Sequence, residues 1–439
     1  MHGSKAMTGI INKHFSLLIW RGHVGLPETI RRGRMKNIIL ICAACMLALL
    51  STIGASLPYP ILPPLFAAEA PNAFNHFLGL PSKLLFGLAL TINPLGLLIG
   101  SAVLGPLSDR YGRRPLLMRT AVGAAIGHAI TAWALVIQSY PLFLVARFIT
   151  GLLEGNGAVA RAMLADQLTG PLRLRAMSWL NGAFYLGWLV GPILAGATLH
   201  WGVTVPFWIA ATALMLVAVL VAAGLPRETP SLLTTSWWQV ARDRHVLNLL
   251  RHAELRTLFI VQLALTCGVA SFYEFYPLWL VETASYHAQE IAWVNVGLCG
   301  TMTITSLLAG GPSRHAPLLR ASWYASGVAL AIGVLALGDI WVGLAAIVLF
   351  GIPNALYNTV IQGWCAERFS VHGQGAVMGL LSTTFCIANI VVALSGSVLT
   401  LIDTRLILAA GAMSAAWAAW RMAAWRRQLD GAADAKAVA

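Results

Sequence analysis

The sequence predicts an all-α polytopic membrane protein, with 12 transmembrane helices arranged as two six-helix bundles. Three observations point there. First, 58% of the 439 residues are hydrophobic, only 10% are charged, and the mean hydropathy is +0.75. A soluble domain is about 25% charged and could not cover this much apolar side chain. That excludes a soluble enzyme, a nucleic-acid-binding module and a disordered chain. Second, the apolar residues fall into twelve stretches, each near the roughly 20 residues that span a bilayer as a helix. Third, the net charge of +13 is placed almost wholly on one side of those stretches.

The stretches run near 37–58, 82–104, 115–137, 141–165, 176–200 and 204–224, then 255–281, 290–310, 319–337, 340–365, 375–401 and 404–424. They are numbered spans 1 to 12. Turn chemistry or charge separates most of them: Leu104-Gly105-Pro106, Ser139-Tyr140-Pro141, Thr169-Gly170-Pro171, Gly338-Asp339 and Asp403. Spans of this length, with Gly and Pro inside, fit helices rather than the ten-residue alternating strands of a barrel.

With the N-terminus placed in the cytoplasm, all but four of the 29 Lys and Arg residues fall on the cytoplasmic side. The exceptions are Lys83 and Arg405 on the other face and Arg147 and Arg161 inside span 4. This positive-inside pattern predicts cytoplasmic termini and a cell inner membrane location. The positive charge then reports topology and anionic lipid rather than nucleic acid. The predicted organisation is a basic tail (1–36), a first bundle (37–224), a cytoplasmic loop (225–254), a second bundle (255–424) and a C-terminal tail (425–439). Within the loop, Trp237-Trp238 with Arg242, Arg244 and His245 reads as a short interfacial amphipathic helix. Met35-Lys36-Asn37 opens span 1 directly, which makes Met35 a candidate start, and no cleavable signal is expected. The six cysteines lie in or beside apolar spans and imply neither a disulfide framework nor a metal site.

The loop between spans 2 and 3 reads Gly105-Pro106-Leu107-Ser108-Asp109-Arg110-Tyr111-Gly112-Arg113-Arg114-Pro115. An acid at the C-terminal end of a helix opposes the helix dipole and needs cationic partners. Arg110, Arg113 and Arg114 are at hand. The segment resembles the signature loop of the major facilitator superfamily, G-x-L-x-D-R-x-G-R-R/K. The resemblance covers the chain from Met35 onward and implies the major facilitator fold. It also implies that Asp109 faces the start of span 11, near Gly373 to Gly375, and holds the cytoplasmic side closed. Asp166, ending span 4, resembles the family acid that shares the signature-loop arginine, here Arg113. The corresponding loop of the second half, Gly310-Gly311-Pro312-Ser313-Arg314-His315, has no acid.

Span 4 carries Arg147, Glu154 and Arg161 at intervals of seven, about two turns, so a continuous helix sets all three on one stripe. Each such charge costs about 2.5–3.5 kcal/mol at membrane depth on insertion scales, so the stripe must face protein or water. Burial and a nearby cation act on a carboxyl in opposite directions. Glu154 is therefore either the proton-coupling acid or a permanent ion-pair partner of Arg147 or Arg161. Arg147-x-x-x-Gly151-x-x-x-Gly155 resembles the span 4 motif of drug–proton antiporters, whose Arg is linked to proton transfer. The run from Gly187 through Gly191-Pro192 to Gly196 resembles their span 5 motif, with Ala195 in place of one Gly. Small residues at every fourth position also let helices pack closely without any such role.

Glu274 in span 7 stands among Phe272, Tyr273, Phe275, Tyr276 and Trp279. The cluster reads equally as an organic-solute site or as an interfacial aromatic belt. In the superfamily, spans 1, 4, 7 and 10 line the cavity. This implies Glu274, Tyr273 and Tyr276 together with Asn354, Tyr357, Asn358 and Gln362 as substrate contacts. His128 in span 3 reads as an interhelical hydrogen bond. Span 1 lacks the acid of some multidrug members, which points away from a simple lipophilic cation.

These features predict a secondary active transporter, acting alone as a monomer, whose partners are a small-molecule substrate, protons and the lipid bilayer. Proton-coupled efflux of a drug, metabolite or siderophore-like solute is the first reading. A proton-coupled importer or uniporter, and a transporter-like sensor, are the alternatives. No nucleotide loop, metal-ligand cluster or Ser/His pair supports catalysis, and no cofactor is expected.

Overall fold

The computed structural model describes residues 28–67, 71–224, 246–308, 316–369 and 374–438. The expected amphipathic helix at Trp237, most of the N-terminal tail, the 310–315 loop and Gly373 lie outside the described residues. So does the side chain of Asp109.

Helices occupy all twelve marked stretches, and the described residues contain no strand. Span 1 is two helices, Glu28–Ser56 and Pro58–Ala67, and span 4 is two, Tyr140–Glu154 and Gly157–Gln167. The other first-half spans are Ser82–Tyr111, Arg113–Val136, Gly170–Thr198 and Val205–Gly224. The second half holds Ala253–Ala284, Ala288–Leu308, Pro317–Ala336, Ile340–Arg368, Gln374–Leu399 and Thr404–Val438. Ten of these segments are long and apolar enough to cross a membrane. The two that fall short, spans 3 and 8, are polar for their length. Span 3 opens with Arg113, Arg114 and Arg119 and holds His128, and span 8 holds Glu290, Asn295, Thr301, Thr303 and Thr305.

The outer faces of the bundle carry exposed Leu216, Val219, Leu330, Leu349 and Met413, a surface that water would not tolerate at this extent. Exposed tryptophans gather at two levels. Trp133, Trp201, Trp208, Trp293 and Trp341 lie toward the helix ends near Lys83, and Trp179, Trp323 and Trp420 toward the signature-loop end. Two such belts mark the two water interfaces of a bilayer.

The helix pairings repeat. In the first half, span 1 packs on spans 5 and 6, span 3 on spans 4 and 6, and span 2 on span 4. Adding six to each number gives the second-half pairings: span 7 on spans 11 and 12, span 9 on spans 10 and 12, and span 8 on span 10. Between the halves, span 2 lies along span 11 and span 5 along span 8, which is one pairing under the same exchange.

The two ends of the molecule differ. At the Lys83 end, Leu62, Phe66, Phe74 and Phe86 join the core of the second half, with Phe86 meeting Phe275 at 6.0 Å. Lys83 Nζ sits 2.7 Å from Glu282 of span 7 and donates to the Thr400 carbonyl of span 11 at 2.6 Å. At the signature-loop end, the first-half core around Leu47, Leu117, Leu164 and Leu214 contains first-half residues alone among those described. There Gly112 takes φ +88°, ψ 142°, a backbone state that suits glycine, and turns span 2 sharply into span 3. The molecule is thus sealed between its halves at the Lys83 end.

Spans 2 and 4 cross at backbone contact. A Cβ on Gly96 or Gly100 would strike the main chain of Phe148 or Leu152, and one on Gly151 or Gly155 would strike that of Asn93 or Gly100. Gly182 of span 5 has nothing within 4 Å of its would-be Cβ. Gly100→Ala should therefore destabilise by about 1–3 kcal/mol through overpacking against backbone. Gly182→Ala should be neutral or stabilising by up to about 1 kcal/mol. Thermal unfolding of the two purified variants beside the parent checks this difference.

Candidate functional site

The centre of the molecule is organised by the break in span 1. Pro58 has no N–H, so the carbonyl of Gly54, four residues earlier, loses its helical donor. Inside a membrane that oxygen needs another partner. Arg147 of span 4 supplies it: Nη1 donates to the Gly54 carbonyl at 3.2 Å and Nη2 to the Ala55 carbonyl at 3.3 Å. Arg147 is 2% exposed, and its own carbonyl accepts from Asn93 Nδ2 of span 2 at 3.2 Å.

Glu154, two turns further along span 4, has His128 as its ion-pair and hydrogen-bond partner among the described residues. Its Oε1 lies 2.9 Å from His128 Nε2 of span 3, within hydrogen-bond distance. Both side chains are buried, and the imidazole stacks on Phe207 of span 6 at 6.4 Å. Glu154 Oε2 and His128 Nδ1 have no hydrogen-bond partner among the described residues. The pair nests against span 1 at Gly54, where a Cβ would collide with the imidazole and sit 2.9 Å from Glu154 Oε1. Gly54 therefore touches the Arg147 guanidinium with its carbonyl and the His128–Glu154 pair with its open face.

Arg161 departs from the expected stripe. Span 4 breaks between Glu154 and Gly157, where Gly155, Asn156 and Gly157 follow in sequence and Asn156 Nδ2 donates to Thr120 Oγ1 at 3.2 Å. Beyond the break the Arg161 guanidinium lies over the Phe184 ring of span 5, 4.8 Å from its centroid.

A midplane cavity opens beside Arg147. Tyr59, Asn93 and Arg147 line it from spans 1, 2 and 4, Trp188 from span 5, and Phe385 and Asn389 from span 11. Trp188 packs edge-on against Tyr59 and against Phe385, each at 5.5 Å, so the aromatic wall crosses between the halves. The cavity measures about 30 Å³, room for a water molecule rather than for an organic solute. Any such solute enters only when the halves part. A cation, two amides and three aromatic rings would then meet a flat, oxygen-bearing molecule well.

The substrate contacts expected on spans 7 and 10 do not line this cavity. Tyr273 hydroxyl donates to Met302 Sδ at 3.0 Å and accepts from Asn354 Nδ2 at 3.4 Å, and Asn358 Nδ2 donates to the Asn354 carbonyl at 3.0 Å. Tyr357 hydroxyl donates to Gln262 Oε1 at 2.6 Å, Tyr276 stacks on Phe272, and Gln362 is half-buried. Glu274 is 1% exposed, inside the protein rather than at the lipid interface. Trp188 and Phe385 were not anticipated. Trp188 stands inside the Gly187–Gly196 run, and Phe385 has no signal in an apolar span.

Near the signature loop, Arg113 Nη2 pairs with Asp166 Oδ2 at 2.6 Å and Nη1 donates to the Ala162 carbonyl at 2.9 Å. Arg114 bonds the Ala222 carbonyl of span 6, and Arg110 is exposed over Tyr111. In span 5, a Cβ on Gly187 or Gly191 would strike Thr52 or Ser56 of span 1, and one on Gly196 would strike Ala292 of span 8. Pro192 is buried between them. This run therefore touches both halves.

The family model of the Major Facilitator Superfamily matches residues 44–393. The tetracycline resistance protein, class B, of Escherichia coli is 34% identical over 189 residues, covering 42% of this chain and 44% of that protein. The class D protein of Salmonella ordonez is 26% identical over 352 residues, covering 77% and 84%. The chain thus matches less than half the length of the class B relative. Among solved structures, the human organic anion transporter MFSD10 (TETRAN) superposes with a TM-score of 0.64 at 20% identity, over 88% of this chain and 99% of that one, a likeness of fold. The chain belongs to the Major Facilitator Superfamily and is a multi-pass membrane protein.

Proposed function

We propose that the chain exports a small organic solute in exchange for protons by alternating access, as a monomer in a cell inner membrane with both termini in the cytoplasm. The two bundles are 37–224 and 255–424, joined by the 225–254 loop. The charge bias sets the signature-loop end in the cytoplasm and the Lys83 end outside. In this reading Asp109, Arg110, Arg113, Arg114 and Asp166 gate the cytoplasmic side, and the Lys83–Glu282 contact closes the outer one. The relatives named for tetracycline resistance support an exporter.

The observation that carries the reading is the placement of the His128–Glu154 pair two turns from Arg147, with Gly54 touching both. In the proposed cycle a proton taken up by the pair offsets the carboxylate charge, and Arg147 stays on the span 1 carbonyls. When the pair gives that proton to water, the uncompensated carboxylate draws the guanidinium along the same helix. The carbonyls at the Pro58 break lose their donor, and span 1 is freed to move. Proton release is thereby tied to the motion that exposes the cavity, where Arg147, Asn93 and Asn389 receive an oxygen-bearing planar solute.

Two variants test this. Glu154→Gln should keep solute counterflow but lose solute accumulation driven by a pH gradient in proteoliposomes. Full pH-driven transport by this variant would remove Glu154 from the mechanism. Arg147→Lys keeps the charge but lacks the planar fork that reaches two carbonyls. It should cost about 1.5–3 kcal/mol at the span 1 break, the worth of a charged hydrogen bond, with transport falling roughly 10- to 100-fold. Transport assays and thermal shift of the purified variant read both effects.

A further inference from the structure

Glu274 takes no part in the midplane cavity or in the pair around Glu154. It is 1% exposed, and neither carboxyl oxygen has a hydrogen-bond partner among the described residues. The neighbouring side chains fix where it points. Ser271 packs on Gly411 of span 12, Phe275 on Gly396 of span 11 and on Phe86 of span 2, and Tyr273 reaches spans 8 and 10. The remaining face of span 7 looks toward the Pro58–Ala67 helix of span 1, and Tyr59 lies within electrostatic range of Glu274. The carboxyl therefore sits on the seam between the halves, on the Lys83 side of the cavity.

The titratable groups that face it are Tyr59 from span 1 and Cys267 from its own helix, with Arg147 behind Tyr59. Lys83 of span 2 is taken by Glu282 and Thr400. Where spans 11 and 12 meet span 7, at Gly396, Ile407 and Gly411, they bring no titratable group. Among the described residues no cation bonds Glu274, and a bare carboxylate in such surroundings is far more costly than a carboxylic acid. The same seam, once parted on the Lys83 side, would put this carboxyl in water.

We propose that Glu274 is a second proton site, a carboxyl that takes one proton from the outer medium when the Lys83 side is open and must hold it for that side to close. Outside, hydronium gives its proton to the carboxylate and leaves water. The neutral acid then packs without a partner as the seam shuts. The proposal rests on the alternating-access reading and not on the role of Glu154.

The test uses a reporter thiol at the seam, Ala89→Cys, at a buried span 2 position that lines the cavity and packs in the core shared with the second half, in a background with the native cysteines replaced. It is labelled in vesicles by a membrane-impermeant maleimide added outside. Leu78→Cys, on an 81% exposed position of the loop before span 2, corrects for the pH dependence of the reagent. With Glu274 present, corrected labelling should fall as the medium is acidified, by up to about tenfold per pH unit, the limit for one linked proton. Glu274→Gln, which imitates the protonated acid, should label slowly at every pH, and Glu274→Asp should restore the dependence. A Gln variant that keeps the parent profile overturns the proposal. So does an Asp variant as flat as Gln, which would make the residue structural. A Gln variant that loses only solute export makes Glu274 a solute contact and also overturns it. Because the readout needs neither solute nor Glu154, its failure is distinct from failure of the exporter reading.

Discussion

The contact on which the centre of this protein depends is the guanidinium of Arg147 on two consecutive main-chain oxygens of span 1. Lipid offers no donor to a carbonyl that a proline has left open, so the break at Pro58 can exist only where the protein itself brings one. Arginine suits the task because its planar fork reaches both oxygens. The cation is in turn tolerated at depth because those oxygens, and the acid two turns away, offset its loss of water. Break and charge thus support each other, and neither residue is understood alone.

Glycine makes the rest of the arrangement possible. At Gly54 the absence of a side chain leaves the volume that His128 and Glu154 fill. In span 5, Gly187 and Gly191 admit span 1 while Gly196 admits Ala292 of span 8. The run therefore joins the most mobile element of the proposed cycle to the seam between the halves. Its small residues bring no chemistry of their own. They set how near span 1 can come, and so where the Gly54 carbonyl lies relative to Arg147.

The architecture was legible because hydropathy marks each spanning helix and the basic residues mark one side. The ion pair of Arg113 with Asp166 followed the signature loop, and the burden of a charge at depth singled out Arg147 and Glu154. The partner of Glu154 was harder. His128 stood out as a polar group at depth, but nothing in a linear chain says which acid a histidine 26 residues away will meet. The stripe of three charges failed at Arg161 because Gly155-Asn156-Gly157 breaks the helix within an otherwise apolar stretch. Trp188 and Phe385 were hidden for a general reason. In a helix apolar on all sides, periodicity does not tell the lipid-facing side from the side that faces the cavity.

The sixfold offset in helix pairing bears on how the chain is made. Chains leave the ribosome N-terminus first, and domains tend to fold as units in that order. By the time span 6 has entered the bilayer, every intra-bundle neighbour of spans 1 to 6 is already present. The buried arginine and the His128–Glu154 pair thus have their partners within the first half and need none from the second. The contacts between the halves, chiefly span 2 with span 11, span 5 with span 8 and span 1 with span 7, must wait for the later helices. The costliest polar groups of the first half are in this way housed early in biogenesis, and what is left for the end is chiefly apolar: Leu62, Phe66, Phe74 and Phe86 find their core only when the second half arrives.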